Sequence, residues 1–356
     1  MLSKYMAQDG GPKPVRSGDS LENNGIVVVS ESNVIGIDYG KKSVNIDGKA
    51  SLSYDKLLIA SGVRNRIPPI PGLNKVNYFT LRDKKDFVGI NDAIRNNGAK
   101  NVTIIGGGFI GMEVASAVKA ALKDGVNVTV LEGQKVPLQH VLGEKVGVVL
   151  KDLAQKNGVN VMAGAKVKGI NGDGQVTGVA IEGDTVPTDV LIVATGVEPV
   201  TEFAKGIDLH EGGIKTNAFL ETSQKDVFAA GDVASYPFWY TGEQARVEHY
   251  TEAIYQGSVA ALNLAGKKFP VDNIPFFWTR QHNNSLAFTG VTRGWDDLHI
   301  VGDLAAMKFV AYYIRKSDDK VLGAAAMGHM GAIQIINEAM QFGVMPSASQ
   351  VKKPDF

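Results

Sequence analysis

Apolar residues along the chain fall into short continuous runs and longer helical stripes, and over the first two-thirds the two kinds alternate. The run "VTII" (102–105) is strand-like and leads through glycines into a helical pattern, "FIGMEVASA". Further strand-like runs are "VNVTVLE" (126–132), "DVLIVATG" (189–196) and "DVFAAGD" (226–232). This alternation predicts an α/β protein with a doubly wound sheet. A helix is expected over 251–265. From Pro270 onward the pattern turns extended: "LAAMKFVAYYIR" and "VLGAAAMG" flank the turn "KSDDK" and predict a hairpin. A closing helix over about 331–342 completes a smaller α+β domain.

One stretch of the pattern occurs twice. Residues 25–62 read "GIVVVSESNVIGIDYGKKSVNIDGKASLSYDKLLIASG" and residues 158–196 read "GVNVMAGAKVKGINGDGQVTGVAIEGDTVPTDVLIVATG". Val34 matches Val167, Asp55 matches Asp189 and Gly62 matches Gly196, at an offset of 133 that becomes 134 after one inserted residue. The detail of the closing match, Asp through an apolar strand to Ala-Ser/Thr-Gly, points to two copies of one dinucleotide-binding domain. The second copy carries a glycine fingerprint from Gly106, and the offset puts the matching point of the first copy before Met1. The first copy is therefore expected to lack its opening strand, phosphate loop and helix.

Composition narrows the chemistry. The length of 356 residues suits two or three domains. Lys plus Arg and Asp plus Glu balance at 37 each, which gives no argument for nucleic acid or an anionic membrane. The chain has no cysteine, so disulfides, thiolate metal sites and a dithiol relay within it are excluded, and redox work falls to a bound cofactor. None of the six histidines is spaced i, i+4 from another, and no metal site is expected. No apolar run approaches the ~20 residues of a transmembrane helix, and the N-terminus shows no targeting pattern. The chain reads as soluble, cytoplasmic or mitochondrial.

Gly106, Gly108 and Gly111 have the G-x-G-x-x-G spacing, between an apolar strand and a helix. The first allows the tight turn, the second admits a pyrophosphate to the backbone, and the third lets helix and strand pack closely. Glu132 ends the next strand, 21 residues after Gly111, where an acid takes ribose hydroxyls and repels a 2′-phosphate. NAD(H) is thus expected rather than NADP(H), held by Gly106, Gly108, Phe109, Ile110, Gly111 and Glu132 with the Thr195-Gly196 turn. Glu113 falls in the first helical turns among apolar residues. It reads equally as a carboxylate favoured by the helix dipole or as a buried one needing a cation. Asp232 could take the hydroxyls of a ribityl chain or cap a following helix. Trp278 and Phe277 read as core or as aromatic walling around a flat cofactor.

Taken in order, "LSKYM", "YDKLLIASGVRNR", "TIIGGGFIGMEVA", "VTVLE", "DVLIVATGVEPV", "VFAAGDVA", "RVEHYTEAIYQGSVAALN" and "IPFFWT" make the chain resemble the pyridine-nucleotide-dependent flavoprotein reductases. It is most similar to the apoptosis-inducing-factor-like and oxygenase-type ferredoxin reductases, over essentially its whole length. The resemblance implies two Rossmann-like domains, a discontinuous FAD domain (1–98 and 220–268) missing its first βα unit and an inserted NAD domain (99–219), with a C-terminal α+β interface domain (269–356). It implies an FAD lined by Ala60, Ser61, Gly62 and Arg66, with Val34 at the adenine and Gly231 and Asp232 at the ribityl–pyrophosphate. It places His249 and Tyr250 by the flavin ring and Trp278 on the nicotinamide side. It also implies that Lys4 pairs with Glu113 beside the reactive flavin nitrogen. "RNR" replaces the family's "RPR", and "TRQHNN" after Trp278 departs from it, which leaves the acceptor undefined.

The expected activity is hydride transfer from NADH to FAD, with electrons passed on to an iron–sulfur protein, such as a ferredoxin or Rieske-type domain, or to a quinone. The alternative is a non-catalytic nucleotide-binding or structural subunit that keeps the fold without tight FAD.

Overall fold

The computed structural model describes residues 2–6, 21, 23–96 and 98–353. The chain forms two compact units, each discontinuous in sequence, with boundaries at Arg64/Asn65, Val197/Glu198 and Phe276/Phe277; the N-terminal turn Leu2–Tyr5 belongs with the first unit.

The first unit is built on a parallel sheet of four strands, ordered Val190–Val193, Asn101–Ile105, Asn127–Glu132 and Val159–Ala163. Val190–Val193 reads as an unbroken apolar run and is buried at every position, whereas Val159–Ala163 alternates with Asn160 exposed. The helices Phe109–Leu122 and Gln139–Lys156 belong to the same unit, and Val114, Ala115 and Val118 pack with Ile104, Val128 and Val130. An antiparallel meander, Val167–Asp173, Gln175–Ile181 and Asp184–Pro187, follows.

The predicted hairpin forms from Lys308–Arg315 and Lys320–Met327, and lies within a five-stranded antiparallel sheet that starts with Phe276–Gln281. Phe277, Phe288, Phe309 and Tyr313 of that sheet share a core with Leu138, Leu142 and Leu150. The helix Gln139–Lys156 can reach them because it kinks at Gly143, whose φ of 78° suits glycine; a Cβ there would stand 3.0 Å from the Trp295 ring. The closing helix is Met330–Gln341.

The second unit holds the other copy of the repeat. Leu57–Ile59 pairs in parallel with Val227–Ala229, and Val34–Asp38, Ser43–Ile46 and Leu52–Ser53 form the meander that matches the one beginning at Val167. The helix expected over 251–265 is Tyr250–Leu264.

Candidate functional site: a glycine loop and a buried carboxylate

The strand Asn101–Ile105 ends in the glycine loop, and the helix Phe109–Leu122 begins immediately beyond it. Gly106 has φ of 110°, and a Cβ on it would lie 2.3 Å from the Ala194 carbonyl oxygen. A Cβ on Gly111 would lie 2.0 Å from the Gly106 oxygen. These two glycines serve packing. At Gly108, the residue before the helix, an added Cβ would meet nothing within 4 Å, so the space beside this backbone is open to a ligand.

Glu132 accepts from the Gly107 N–H and the Gln134 N–H, each at 2.7 Å. The carboxylate thus braces the loop from the neighbouring strand end. A pyrophosphate over the Gly108 backbone with its ribose at Glu132 fits this arrangement. Exchanging Glu132 for alanine should cut the preference for NADH over NADPH about 5- to 150-fold, since a missing polar partner is worth about 1–3 kcal/mol; binding titrations with both nucleotides measure it, and an unchanged ratio removes Glu132 from selection. Arg66 sits against the same unit's Thr195-Gly196 turn: its N–H donates to the Gly196 carbonyl at 3.0 Å, and the Thr195 hydroxyl donates to the Arg66 carbonyl at 2.7 Å.

Glu113 lies one turn into the helix and is only 5% exposed. Its Oε1 accepts from Lys4 Nζ at 2.6 Å and from Thr279 Oγ1 at 2.6 Å; its Oε2 accepts from Ser3 Oγ at 2.5 Å. Of the two readings of this residue, the buried carboxylate with a cation partner is the one that forms. Burial of the charge is tolerable because a cation and two hydroxyls meet it. Lys4 keeps a side-chain exposure of 23%, so the pair stands at an edge of the interior. Sequence reasoning missed Ser3 and Thr279. Thr279 was legible in part: alternation along Phe276–Gln281 puts it on the face of Phe277, which contacts Phe109 edge-on with centroids 4.9 Å apart. Phe277 is thereby core, while Trp278 is half-buried on the opposite face.

In the second unit a cavity of about 740 Å³ is lined by Val34, Ala60, Ser61 and Arg64 among others. Val34, Ala60 and Ser61 line it together, without Gly62 or Arg66 in its lining, and Arg64 joins them, held by Glu198 at 2.7 Å and by Glu202. The Ser61 hydroxyl donates to the Val200 carbonyl at 2.7 Å. Asp232 caps no helix: it lies inside the short turn Gly231–Val233, whose cap is Ala230, and the next helix starts only at Tyr250. The turn is fixed from behind, the Gly231 N–H donating to Gln256 Oε1 at 2.8 Å. Gln256 in turn donates to Glu252, which also accepts from Tyr236 at 2.9 Å and Asn273 at 2.7 Å. Glu252 and Gln256 are polar residues at i, i+4 on the buried stripe of Tyr250–Leu264, a signal the sequence reading did not use. The cavity and the fixed Gly231 turn fit parts of an FAD. A second glycine loop for its pyrophosphate is not found among the described residues of this unit.

His249 precedes the helix with an extended backbone, and Tyr250 is exposed. Burial pushes the His249 imidazole down to about 4 from its ordinary 6.5. A proton then binds the unfolded chain more tightly than the folded one. The contribution of the neutral ring is whole above pH 6.5 and is lost as pH falls toward 4. Urea midpoints between those limits should fall further for the wild type than for His249→Asn; parallel curves would refute the assignment.

Residues 1–257 match the family pattern described as pyridine nucleotide-disulphide oxidoreductase. The chain belongs to this family. Residues 276–356 match a second pattern, described as reductase C-terminal, which accounts for the five-stranded sheet and its helices. Human apoptosis-inducing factor 3 is 31% identical over 348 residues, covering 96% of this chain and 56% of that protein. Rhodocoxin reductase of Rhodococcus erythropolis is 30% identical over 290 residues, covering 81% of this chain and 66% of the relative. The chain thus spans little more than half the length of the human relative. A ferredoxin reductase from Rhodopseudomonas palustris superposes with a TM-score of 0.89 at 27% identity, covering all of this chain and 87% of that one. Putidaredoxin reductase, in its covalent complex with putidaredoxin, gives 0.89 at 26%, covering 99% and 86%. This family member has no cysteine, so the dithiol in the family's description has no counterpart here. Among the described residues no helix is long and apolar enough to cross a membrane, and no three His, Asp or Glu side chains gather as metal ligands.

Proposed function

We propose that the protein is an NADH-dependent flavoprotein reductase that delivers electrons to an iron–sulfur protein of the ferredoxin or Rieske type, or to a quinone. The observation that carries this reading is the Ser3–Lys4–Glu113–Thr279 cluster one helical turn from an open glycine loop. When bound, NADH and FAD supply the chemistry: a hydride leaves the nicotinamide for the flavin, and the two electrons leave singly to the acceptor. The protein supplies placement. Gly108 and Glu132 hold the dinucleotide backbone, and the helix N-terminus favours its negative charge. Lys4 and Glu113 orient the nicotinamide end, with Ser3 and Thr279 keeping the carboxylate in one rotamer. Val34, Ala60, Ser61, Gly231, Asp232, His249 and Tyr250 would hold the FAD, and Trp278 would shield the nicotinamide. Relatives named as ferredoxin reductases, and one solved with its putidaredoxin, support the choice of acceptor.

The test is a visible spectrum of the purified chain. Oxidised-flavin bands that bleach on adding NADH support the reading. A colourless, folded protein overturns it for residues 1–356. That outcome favours the second reading, a nucleotide-binding or structural subunit. In the coloured protein Lys4→Ala should slow bleaching by NADH about 100- to 1,000-fold, the scale of losing one oriented donor. An unaltered rate removes Lys4 from the mechanism.

A further inference from the structure

Three neighbouring strands of the first unit's parallel sheet carry Asn-Val near their starts: "NVTII" from Asn101, "NVTVLE" from Asn127 and "VNVMA" from Val159. Alternation sends successive side chains to opposite faces. Val102, Val128 and Val161 go to the face of the helix Phe109–Leu122 and are buried with Val114 and Val118. The asparagines and threonines go to the other face. Strand pairing sets Asn101 beside Asn127, and Thr103, Thr129 and Asn160 in one row across the sheet. Farther along, the same face turns apolar, where Ile105, Leu131 and Val193 pack with Val179 and Val186 of the meander. A parallel strand covered on both faces is usually apolar throughout. A row of amides and hydroxyls at one end only therefore needs its own reason.

This row lines a cavity of about 240 Å³, with the meander strand Asp184–Pro187 on its other side. Thr103 and Thr129 are 1% and 9% exposed, whereas Asn127 and Asn160 are exposed at its rim. Part of the polar set is already paired. Thr103 and Thr188 share a hydrogen bond of 2.8 Å between their hydroxyls. Asn101 donates to the Asp189 carboxylate at 3.2 Å and accepts from Asn127 Nδ2 at 3.1 Å. The rest is left over. Asn160 Nδ2 reaches Thr129 Oγ1 only at 3.5 Å, the outer limit for a hydrogen bond. The side-chain carbonyls of Asn127 and Asn160 meet no donor among the described residues.

We propose that this cavity binds a neutral sugar or polyol of five or six carbons. An amide offers donor and acceptor together, which matches a hydroxyl that does both. The volume is that of about eight waters at ~30 Å³ each, room for one ring with its hydroxyls. No Lys, Arg or His lines the cavity among the described residues, and its one charged side chain is Asp184. A phosphate or carboxylate would find repulsion there and no counter-charge. Met162 and Pro187 supply an apolar part of the lining, suited to the C–H face of a ring. The site is separate from the glycine loop. Gly106 and Glu132 lie at the C-terminal ends of these strands and the asparagines at the N-terminal ends, roughly 13 Å back along the sheet. The inference thus stands apart from the flavoprotein reading.

The test follows the asparagine side-chain amide signals by NMR as D-glucose, D-ribose or myo-inositol is added to the 356-residue chain without nucleotide. At least one of the three should shift the Asn127 signal saturably, with half-saturation below about 10 mM. Asn160→Ala changes an exposed residue, and Thr129→Val keeps the size of the side chain. Each should weaken binding about 2- to 12-fold, the scale of one hydrogen bond. No shift with any probe, or shifts that grow linearly with sugar, overturn the inference. Equal affinity in the wild type and both variants overturns it too, because solvent effects of a polyol do not depend on these side chains. So does a sugar shift that NADH abolishes, which would assign the sugar to the nucleotide's own ribose position.

Discussion

A Glu252→Leu chain will be less stable than the wild type by at least about 2 kcal/mol, since a buried donor left without its acceptor costs about 1–3 kcal/mol. Glu252 is 1% exposed and accepts from Tyr236, Gln256 and Asn273. Leucine fills much of the volume and leaves two buried donors, Tyr236 and Gln256, and the half-buried Asn273 without their acceptor. The damage extends beyond stability, because Gln256 also holds the Gly231 N–H. Losing its anchor at Glu252, Gln256 loses its fixed rotamer, and the Gly231-Asp232 turn loses its brace. Urea unfolding measures the first effect. The second appears as faster exchange of the Gly231 amide in the folded protein. Glu252→Gln keeps an acceptor and should recover most of both. A leucine variant within 1 kcal/mol of wild type would show that the network contributes little net stability.

Gly111→Ala will reduce NADH affinity by about 100-fold or more and destabilise the first unit by about 1–3 kcal/mol, the range for overpacking a tight contact. The new Cβ would sit 2.0 Å from the Gly106 carbonyl oxygen and 3.2 Å from its carbon. Neither is the yielding tip of a side chain. Helix or loop must move, and the Gly106 backbone is itself confined against the Ala194 carbonyl. The movement withdraws the helix N-terminus from the open space beside Gly108. Fluorescence titration with NADH measures the loss. Gly108→Ala is the contrast: its Cβ meets no protein atom within 4 Å, so it should weaken NADH binding with no loss of stability. Equal behaviour of the two variants would refute the division of the glycines into packing and ligand roles.

Much of the fold was legible because its signals are local. The apolar runs ending at Ile105, Glu132 and Val193, and the turn between Arg315 and Lys320, announce their elements within a few residues. The repeat was legible because Asp55 and Asp189, and the strands after them, match in order. Glu113 could be singled out as an acid in an apolar stretch, but its setting stayed open until the chain was folded. Its partners are 110, 109 and 166 residues away in sequence. Ser3 and Thr279 are ordinary residues in their own neighbourhoods, and only the tertiary structure turns them toward one carboxylate. The same holds for Glu252, whose partners Tyr236 and Asn273 come from outside its helix.

By itself, then, the sequence determined the α/β class, the glycine loop with its acidic strand end, the duplication and the exclusion of thiol chemistry. These rest on spacing and on composition, which short segments carry whole. The tertiary structure alone decided which polar side chains are buried together, and that Phe277 is core while Trp278 faces the other way. Such features depend on which distant segments meet, and burying a polar group is affordable only where the whole set of partners arrives at once.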